Sequence, residues 1–238
     1  MSALVIRVPE RLDPASVERM HAQMVGMDGA SAIILEGLPE RFCLGMTFVE
    51  TSAPGAGCSA VVRDGLNSFR ALMEKILNCP RPTLAVVDGA AFGGGLGLAA
   101  ACDFVLASTR ARFSLPEALY GLMPAIIRPA LLTRLTPQKL NMLLFTCHSR
   151  SAEEAQSLGL VDGLVPPVQI DKAKMEIIRH FGRAKTASVV AARRQNSAAF
   201  AEALSAGVAE TAAALADERV IAALAAAAGD QDPPWNSN

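Results

Sequence analysis

Two glycine-bearing turns, Phe42-Cys43-Leu44-Gly45-Met46 and Phe92-Gly93-Gly94-Gly95-Leu96-Gly97, lie about fifty residues apart, and each comes after a short aliphatic run. The runs, Ala32-Ile33-Ile34-Leu35 and Leu84-Ala85-Val86-Val87, have the unbroken apolar character of buried strands. A glycine turn at a strand end lets backbone approach backbone and leaves amides without a partner. Two free amides can hold one oxygen on which negative charge grows, and removing one such donor typically costs about two to three orders of magnitude in rate. The carbonyl oxygen of an acyl thioester that loses an α-proton is such an oxygen.

The first half of the chain alternates strand and helix patterns. Strands are expected at Ala3–Val8, Ser31–Glu36, Thr83–Asp88, Asp103–Ser108 and Arg112–Ser114, and helices at Pro14–Met27, Gly65–Asn78 and Gly94–Ala101. That order implies βαβ units and a mostly parallel sheet, an α/β fold. Thr51–Ser59, with Pro54, Gly55 and Gly57, reads as a loop beside the first turn. From Arg128 onward helices dominate, at Leu131–Leu135, Pro137–Phe145 and Ala152–Leu158, then an extended piece at Leu160–Val165 and long helices from Asp171 to about Ala228. Pro233-Pro234 ends the regular structure. Residues 1–165 thus form a core and 166–238 a helical region whose alanine-rich side suits either another subunit or the same chain.

With 238 residues, of which 51% are hydrophobic and 19% charged, the chain has material for one well-packed domain. Five cysteines without CxxC spacing, Cys43, Cys58, Cys79, Cys102 and Cys147, read as free thiols of a reducing compartment, so a cytoplasmic location is expected. No signal peptide is legible at the N-terminus, and no apolar stretch is long enough for a membrane span. Net charge is −1, yet residues 121–200 carry an excess of +6, which suits either an anionic partner or a solvated helix face. No basic–aromatic stripe supports nucleic-acid binding.

Glu117 is the candidate acid/base. It lies in Phe113-Ser114-Leu115-Pro116-Glu117-Ala118-Leu119-Tyr120-Gly121-Leu122, with no Lys or Arg between Arg112 and Arg128. A carboxyl desolvated in such company favours its neutral form and exchanges protons nearer pH 7. A helix-start carboxylate after Pro116 is the equal alternative. His21, His148 and His180 have neither a nucleophile beside them nor metal-ligand spacing, so triad and zinc readings fail. Residues 93–97 do not follow GxGxxG and no Gly-Lys-Ser/Thr occurs, which excludes the common nucleotide loops.

The runs Arg81–Gly95, Cys102–Ala107, Phe113–Glu117, Ala152–Ala155 and Gly159–Asp162 resemble, in order and spacing, the crotonase superfamily, also called the enoyl-CoA hydratase/isomerase family. The resemblance implies a crotonase-like ββα spiral with a helical C-terminal region, assembled as a homotrimer or hexamer. It implies that the amides of Met46 and Gly94 form the oxyanion hole, with Leu44, Gly45, Gly93 and Tyr120 beside the substrate. Hydratases of this family commonly use two glutamates; the matching positions here are Gly97 and Glu117, so one carboxyl is kept.

Phe42–Phe48, Phe113–Ala125 and Gln138–Met142 are similar to the crotonase-type dehydratases of polyketide β-branching cassettes. Those act on 3-hydroxy-3-methylglutaryl carried by an acyl carrier protein and form the 3-methylglutaconyl product. The resemblance implies a hydro-lyase whose substrate rides on the phosphopantetheine of a carrier protein or on CoA, with no further cofactor and no metal. On this reading Arg179, Arg183, Lys185, Arg193 and Arg194 meet the acidic carrier or its phosphate. A CoA-dependent enoyl hydratase or isomerase, and a non-catalytic subunit of the same fold, are the alternatives.

Overall fold

The computed structural model describes residues 3–27, 29–47 and 59–228. Chain order begins β1 (Ala3–Arg7), α1 (Pro14–Val25), β2 (Ala32–Glu36), β3 (Glu40–Cys43), α2 (Ala60–Leu77), β4 (Thr83–Val87), β5 (Gly89–Phe92) and α3 (Gly94–Ala100). It continues with β6 (Phe104–Ser108), β7 (Arg112–Ser114), a 3-10 turn at Pro116–Tyr120, α4 (Arg128–Leu132), α5 (Pro137–Thr146), β8 (Arg150–Ser151), α6 (Ala152–Leu158) and β9 (Gly163–Val165). After a second 3-10 turn at Pro167–Gln169, four helices close the described chain: α7 (Ile170–Phe181), α8 (Thr186–Arg194), α9 (Ser197–Ala214) and α10 (Glu218–Ala228).

Two sheets organise these elements. One is five-stranded and wholly parallel, in the order β1-β2-β4-β6-β9; the other has the order β3-β5-β7-β8, parallel except at β7–β8. Every residue of β4 is buried, as a parallel strand covered on both faces requires. The repeating unit is strand, strand, helix: each turn of the spiral adds one strand to each sheet. β3 and β5 are the elements the sequence pattern does not reveal, because both are four residues long and polar or small, Glu-Arg-Phe-Cys and Gly-Ala-Ala-Phe. Each glycine turn therefore follows the second strand of a pair rather than the aliphatic first one. A register shift between Arg41 and Cys43 sits directly ahead of the first turn.

The α/β class and the alternation expected from sequence hold, with α2 starting five residues before Gly65 under a cap from the Ser59 hydroxyl, which accepts the Val62 amide at 3.3 Å. The predicted loop at Thr51–Ser59, but for Ser59, and the tail from Pro233 lie outside the described residues. The four described cysteines are free; burial pushes the Cys43 thiol up to about 11 and the Cys102 thiol up to about 12. Among the described residues no single helix is long and apolar enough to cross a membrane.

The helical C-terminal region packs within the chain. Leu204, Val208 and Ala212 of α9, with Leu215 and Val220, join the same core as Phe42, Phe69 and Phe113, while Ile170 and Ile178 of α7 cover the opposite face of the parallel sheet with Ile34, Leu84 and Leu106. Carboxylates stitch the starts of the strands. Asp103 accepts from the Thr83 amide at 2.7 Å and its hydroxyl at 3.0 Å, and Asp162 accepts from the Val105 amide at 2.7 Å and from Arg134 at 2.8 Å.

Arg193 corrects one expectation. Its guanidinium donates to the Ile76 and Leu77 carbonyls at 3.1 and 2.7 Å, to the Arg81 carbonyl at 3.2 Å and to Asp103 at 2.6 Å, with 11% of the side chain exposed. It is an internal staple between α8 and the starts of β4 and β6, engaged with the chain itself rather than facing a partner. Arg179, Arg183, Lys185 and Arg194 are exposed. Replacing Arg193 by Met is expected to cost about 3 kcal/mol, because it strips donors from several carbonyls and a carboxylate at once; urea unfolding at neutral pH measures this.

Candidate active site

The first turn is held by a short parallel bridge to the segment before α1. The Leu44 amide donates to the Glu10 carbonyl at 2.7 Å, the Leu12 amide to the Gly45 carbonyl at 2.9 Å, and the Thr47 amide to the Leu12 carbonyl at 2.9 Å. In a parallel bridge of this register the bonds come from the residues flanking Met46, so the N–H of Met46 itself points to the other side. Gly45 has φ +91°, and a Cβ there would come 3.2 Å from the Phe92 carbonyl oxygen and 3.3 Å from the Gly94 nitrogen. The two turns are therefore in backbone contact.

The second turn ends β5 and opens α3. Gly93 has φ 50° and ψ −121°, a region closed to residues with a side chain, and its amide donates to the Ser114 carbonyl at 3.0 Å. That bond ties the turn to the strand leading into Glu117. Gly94 is the first residue of α3, so its N–H has no acceptor within the helix. The two residues whose amides these are, Met46 and Gly94, line the same cavity.

Glu117 completes the arrangement. The 3-10 turn that carries it starts at Pro116 and stops at Gly121 in the left-handed conformation, with the Leu122 amide closing onto the Glu117 carbonyl at 3.0 Å. Its Oε1 lies 2.8 Å from where a Cβ on Gly93 would stand, and Oε2 is sealed from solvent with no hydrogen-bond partner among the described residues. Part of the residue's surface is accessible, but Oε2 is not. Burial pushes the carboxyl up to about 7, opposed only by its own backbone amide, and among the described residues no cation pairs with it. Glu117 is at the same time a helix-start carboxylate, in the first turn of the 3-10 helix after Pro116.

All seven residues singled out from sequence, Leu44, Gly45, Met46, Gly93, Gly94, Glu117 and Tyr120, line one cavity of about 730 Å³. Its wall also includes Arg11, Ser149, Ile127, Thr211 and Leu224, which sequence reasoning missed. Thr211 and Leu224 belong to helices whose alanine content hides any periodic signal, and Arg11 and Ile127 lie in connections without a motif. Gly97, where the resemblance places a second carboxyl, is buried beneath Ile127. Of the histidines, the His21 ring contacts the Ser68 carbonyl at 3.2 Å, and no metal-holding cluster occurs among the described residues. The cavity can hold a carbonyl oxygen on two amides and move a proton on one carboxyl.

The family model for enoyl-CoA hydratase/isomerase matches residues 22–221. A Thermus thermophilus protein provisionally named an enoyl-CoA hydratase is 31% identical over 175 residues, covering 70% of this chain and 68% of that protein. The bacillaene synthase dehydratase PksH of Bacillus subtilis is 35% identical over 134 residues, 56% of this chain and 51% of that protein. The chain thus spans about two thirds of the length of the first of these relatives and about half of the second. Among solved structures, a Bacillus subtilis polyketide-biosynthesis enoyl-CoA hydratase (pksH) superposes with a TM-score of 0.85 at 22% identity, over 97% of this chain and 95% of that one. A Mycobacterium avium paratuberculosis enoyl-CoA hydratase structure gives 0.83 at 25% identity, over 99% and 94%. The fold is that of crotonase-type structures.

Gly93→Ala is expected to lose about 1–3 kcal/mol of stability from the forbidden backbone conformation alone. Because the new methyl would stand 2.8 Å from Glu117 Oε1, it is also expected to displace the carboxyl. Thermal melting and a pH titration of activity report the two effects separately.

Proposed function

Because this chain belongs to the enoyl-CoA hydratase/isomerase family, matched over residues 22–221, we propose that it is a hydro-lyase that dehydrates a β-hydroxyacyl thioester. The observation that carries the reading is a desolvated, cation-free carboxyl, Glu117, in one cavity with the amides of Met46 and Gly94. The thioester oxygen accepts hydrogen bonds from those amides. Charge that grows on it as the α-C–H bond breaks is then met by donors already in position.

Ionised Glu117 takes the α-proton, and the electron pair of that bond becomes the new α,β double bond as the β-C–O bond breaks. The departing hydroxide takes the proton from Glu117 and leaves as water. One carboxyl serves both transfers if the two groups lie on the same face, a syn elimination. The steps are redox-neutral and end with the carboxylate restored.

For the substrate we take 3-hydroxy-3-methylglutaryl on an acyl carrier protein, giving the 3-methylglutaconyl thioester. The support is the 35% identity to the bacillaene synthase dehydratase, together with the resemblance of Phe113–Ala125 to the dehydratases of β-branching cassettes. A tertiary β-carbon also tolerates the partial positive charge of C–O cleavage. CoA thioesters are the second reading, favoured by relatives named enoyl-CoA hydratases. For the assembly we take a homotrimer or hexamer, for which Phe145, 73% exposed, is available apolar surface.

Incubation with the carrier-bound 3-hydroxy-3-methylglutaryl thioester is expected to give a loss of one water by mass. Turnover of crotonyl-CoA alone would replace this substrate by the second reading. Glu117→Gln is expected to lower kcat about a thousandfold; unchanged function in that variant would favour a binding subunit of the same fold.

Dehydration needs the ionised carboxylate, so the rate is expected to rise with pH through about 7 and then level. Stability runs the other way. The folded chain holds this proton up to about 7 whereas the unfolded one releases it near the ordinary 4.5, so the folded state loses stability as pH climbs between those values. Glu117→Gln escapes that loss. Its stability relative to the parent is expected to improve by about 3 kcal/mol at most between pH 4.5 and 8, read by denaturant melts.

A further inference from the structure

Gly97 lies on the first turn of α3 beyond the Gly94 amide, and its missing side chain is not empty space. A Cβ there would come 2.2 Å from Ile127 Cγ2 and 2.5 Å from Ile127 Cβ, so the isoleucine already occupies the volume that any side chain at 97 would need. Ile127 is 3% exposed and forms part of the cavity wall. Its backbone is fixed at the entry to α4, where the Leu131 amide donates to the Ile127 carbonyl at 3.1 Å and the Arg128 amide to the Pro124 carbonyl at 2.9 Å. A β-branched side chain on a fixed backbone has few rotamers to choose from, so the surface it offers the cavity is stiff.

We propose that Ile127, seated on Gly97, is a specificity-determining residue that reads the β-carbon of the acyl group and favours one carrying an alkyl branch beside its hydroxyl. The inference rests on the reading that the thioester oxygen binds the Gly94 amide. Gly94, Glu117 and Ile127 line the same cavity. An acyl group held at the Gly94 amide with its α-carbon at Glu117 therefore has the Ile127 side chain as part of the wall around its β-carbon. Hydrocarbon on that side offers a hydroxyl no partner, and burying an unpartnered hydroxyl is unfavourable. The hydroxyl is turned toward Glu117 and the alkyl branch toward Ile127.

The test compares kcat/KM for two pantetheine thioesters that differ by one methyl group, 3-hydroxy-3-methylglutaryl and 3-hydroxyglutaryl. The parent enzyme is expected to favour the branched thioester by about tenfold or more, the usual value of a methyl group in an apolar pocket. Ile127→Ala is expected to bring that ratio close to one. Gly97→Ala adds the methyl that drives Ile127 into the cavity, and is expected to penalise the branched thioester at least tenfold more than the linear one.

The double variant Gly97→Ala/Ile127→Ala is expected to recover turnover of the branched thioester relative to Gly97→Ala alone. Turnover of the linear thioester by Gly97→Ala shows that this variant folds. A ratio that moves in neither single variant, while the parent dehydrates both thioesters through Glu117, overturns this inference and leaves the proposed function standing. A parent enzyme that turns over neither thioester, or a Glu117→Gln variant as active as the parent, overturns both.

Discussion

The backbone contact between Gly45 and Gly94 is the constraint on which the site depends. It joins turns from neighbouring ββα units, and a Cβ at Gly45 would press on both the Phe92 carbonyl and the Gly94 nitrogen. Because the turns touch, Met46 and Gly94 come to line one cavity rather than two. Neither turn could build this alone: the first is fixed by its bridge to Leu12 and the second by the bond from Gly93 to the Ser114 carbonyl.

The same Gly93 bond connects the amides to the carboxyl. Ser114 ends β7, Glu117 follows three residues later, and its Oε1 returns to lie over Gly93. The carboxyl is raised by burial rather than by a neighbouring charge. A hydrocarbon wall at Ile127 belongs to the same logic. Glu117 is the one carboxylate in the wall of that cavity among the described residues.

Legibility varied with the kind of signal. The glycines at 45 and 93, the apolar runs of β2 and β4, and the cation-free Pro-Glu turn are local features, and each kept its meaning in three dimensions. The short strands β3 and β5 were illegible because four residues of mixed or small character carry no periodicity. The basic stretch read as a partner surface is partly structural, since Arg193 turns inward to carbonyls of α2 and the carboxylate of Asp103. Charge is visible in a sequence; the direction in which a long side chain points is not.

From sequence alone came the α/β class, the two glycine turns and the desolvation of the Glu117 carboxyl, because each rests on backbone chemistry or on neighbours a few residues away. Only the tertiary structure decided that these groups share one cavity, that Ile127 fills the space over Gly97, and that α9 and α10 bring Thr211 and Leu224 to its wall. Those facts depend on which surfaces meet after the spiral closes. Contacts between residues thirty to well over a hundred positions apart leave no mark on local sequence pattern.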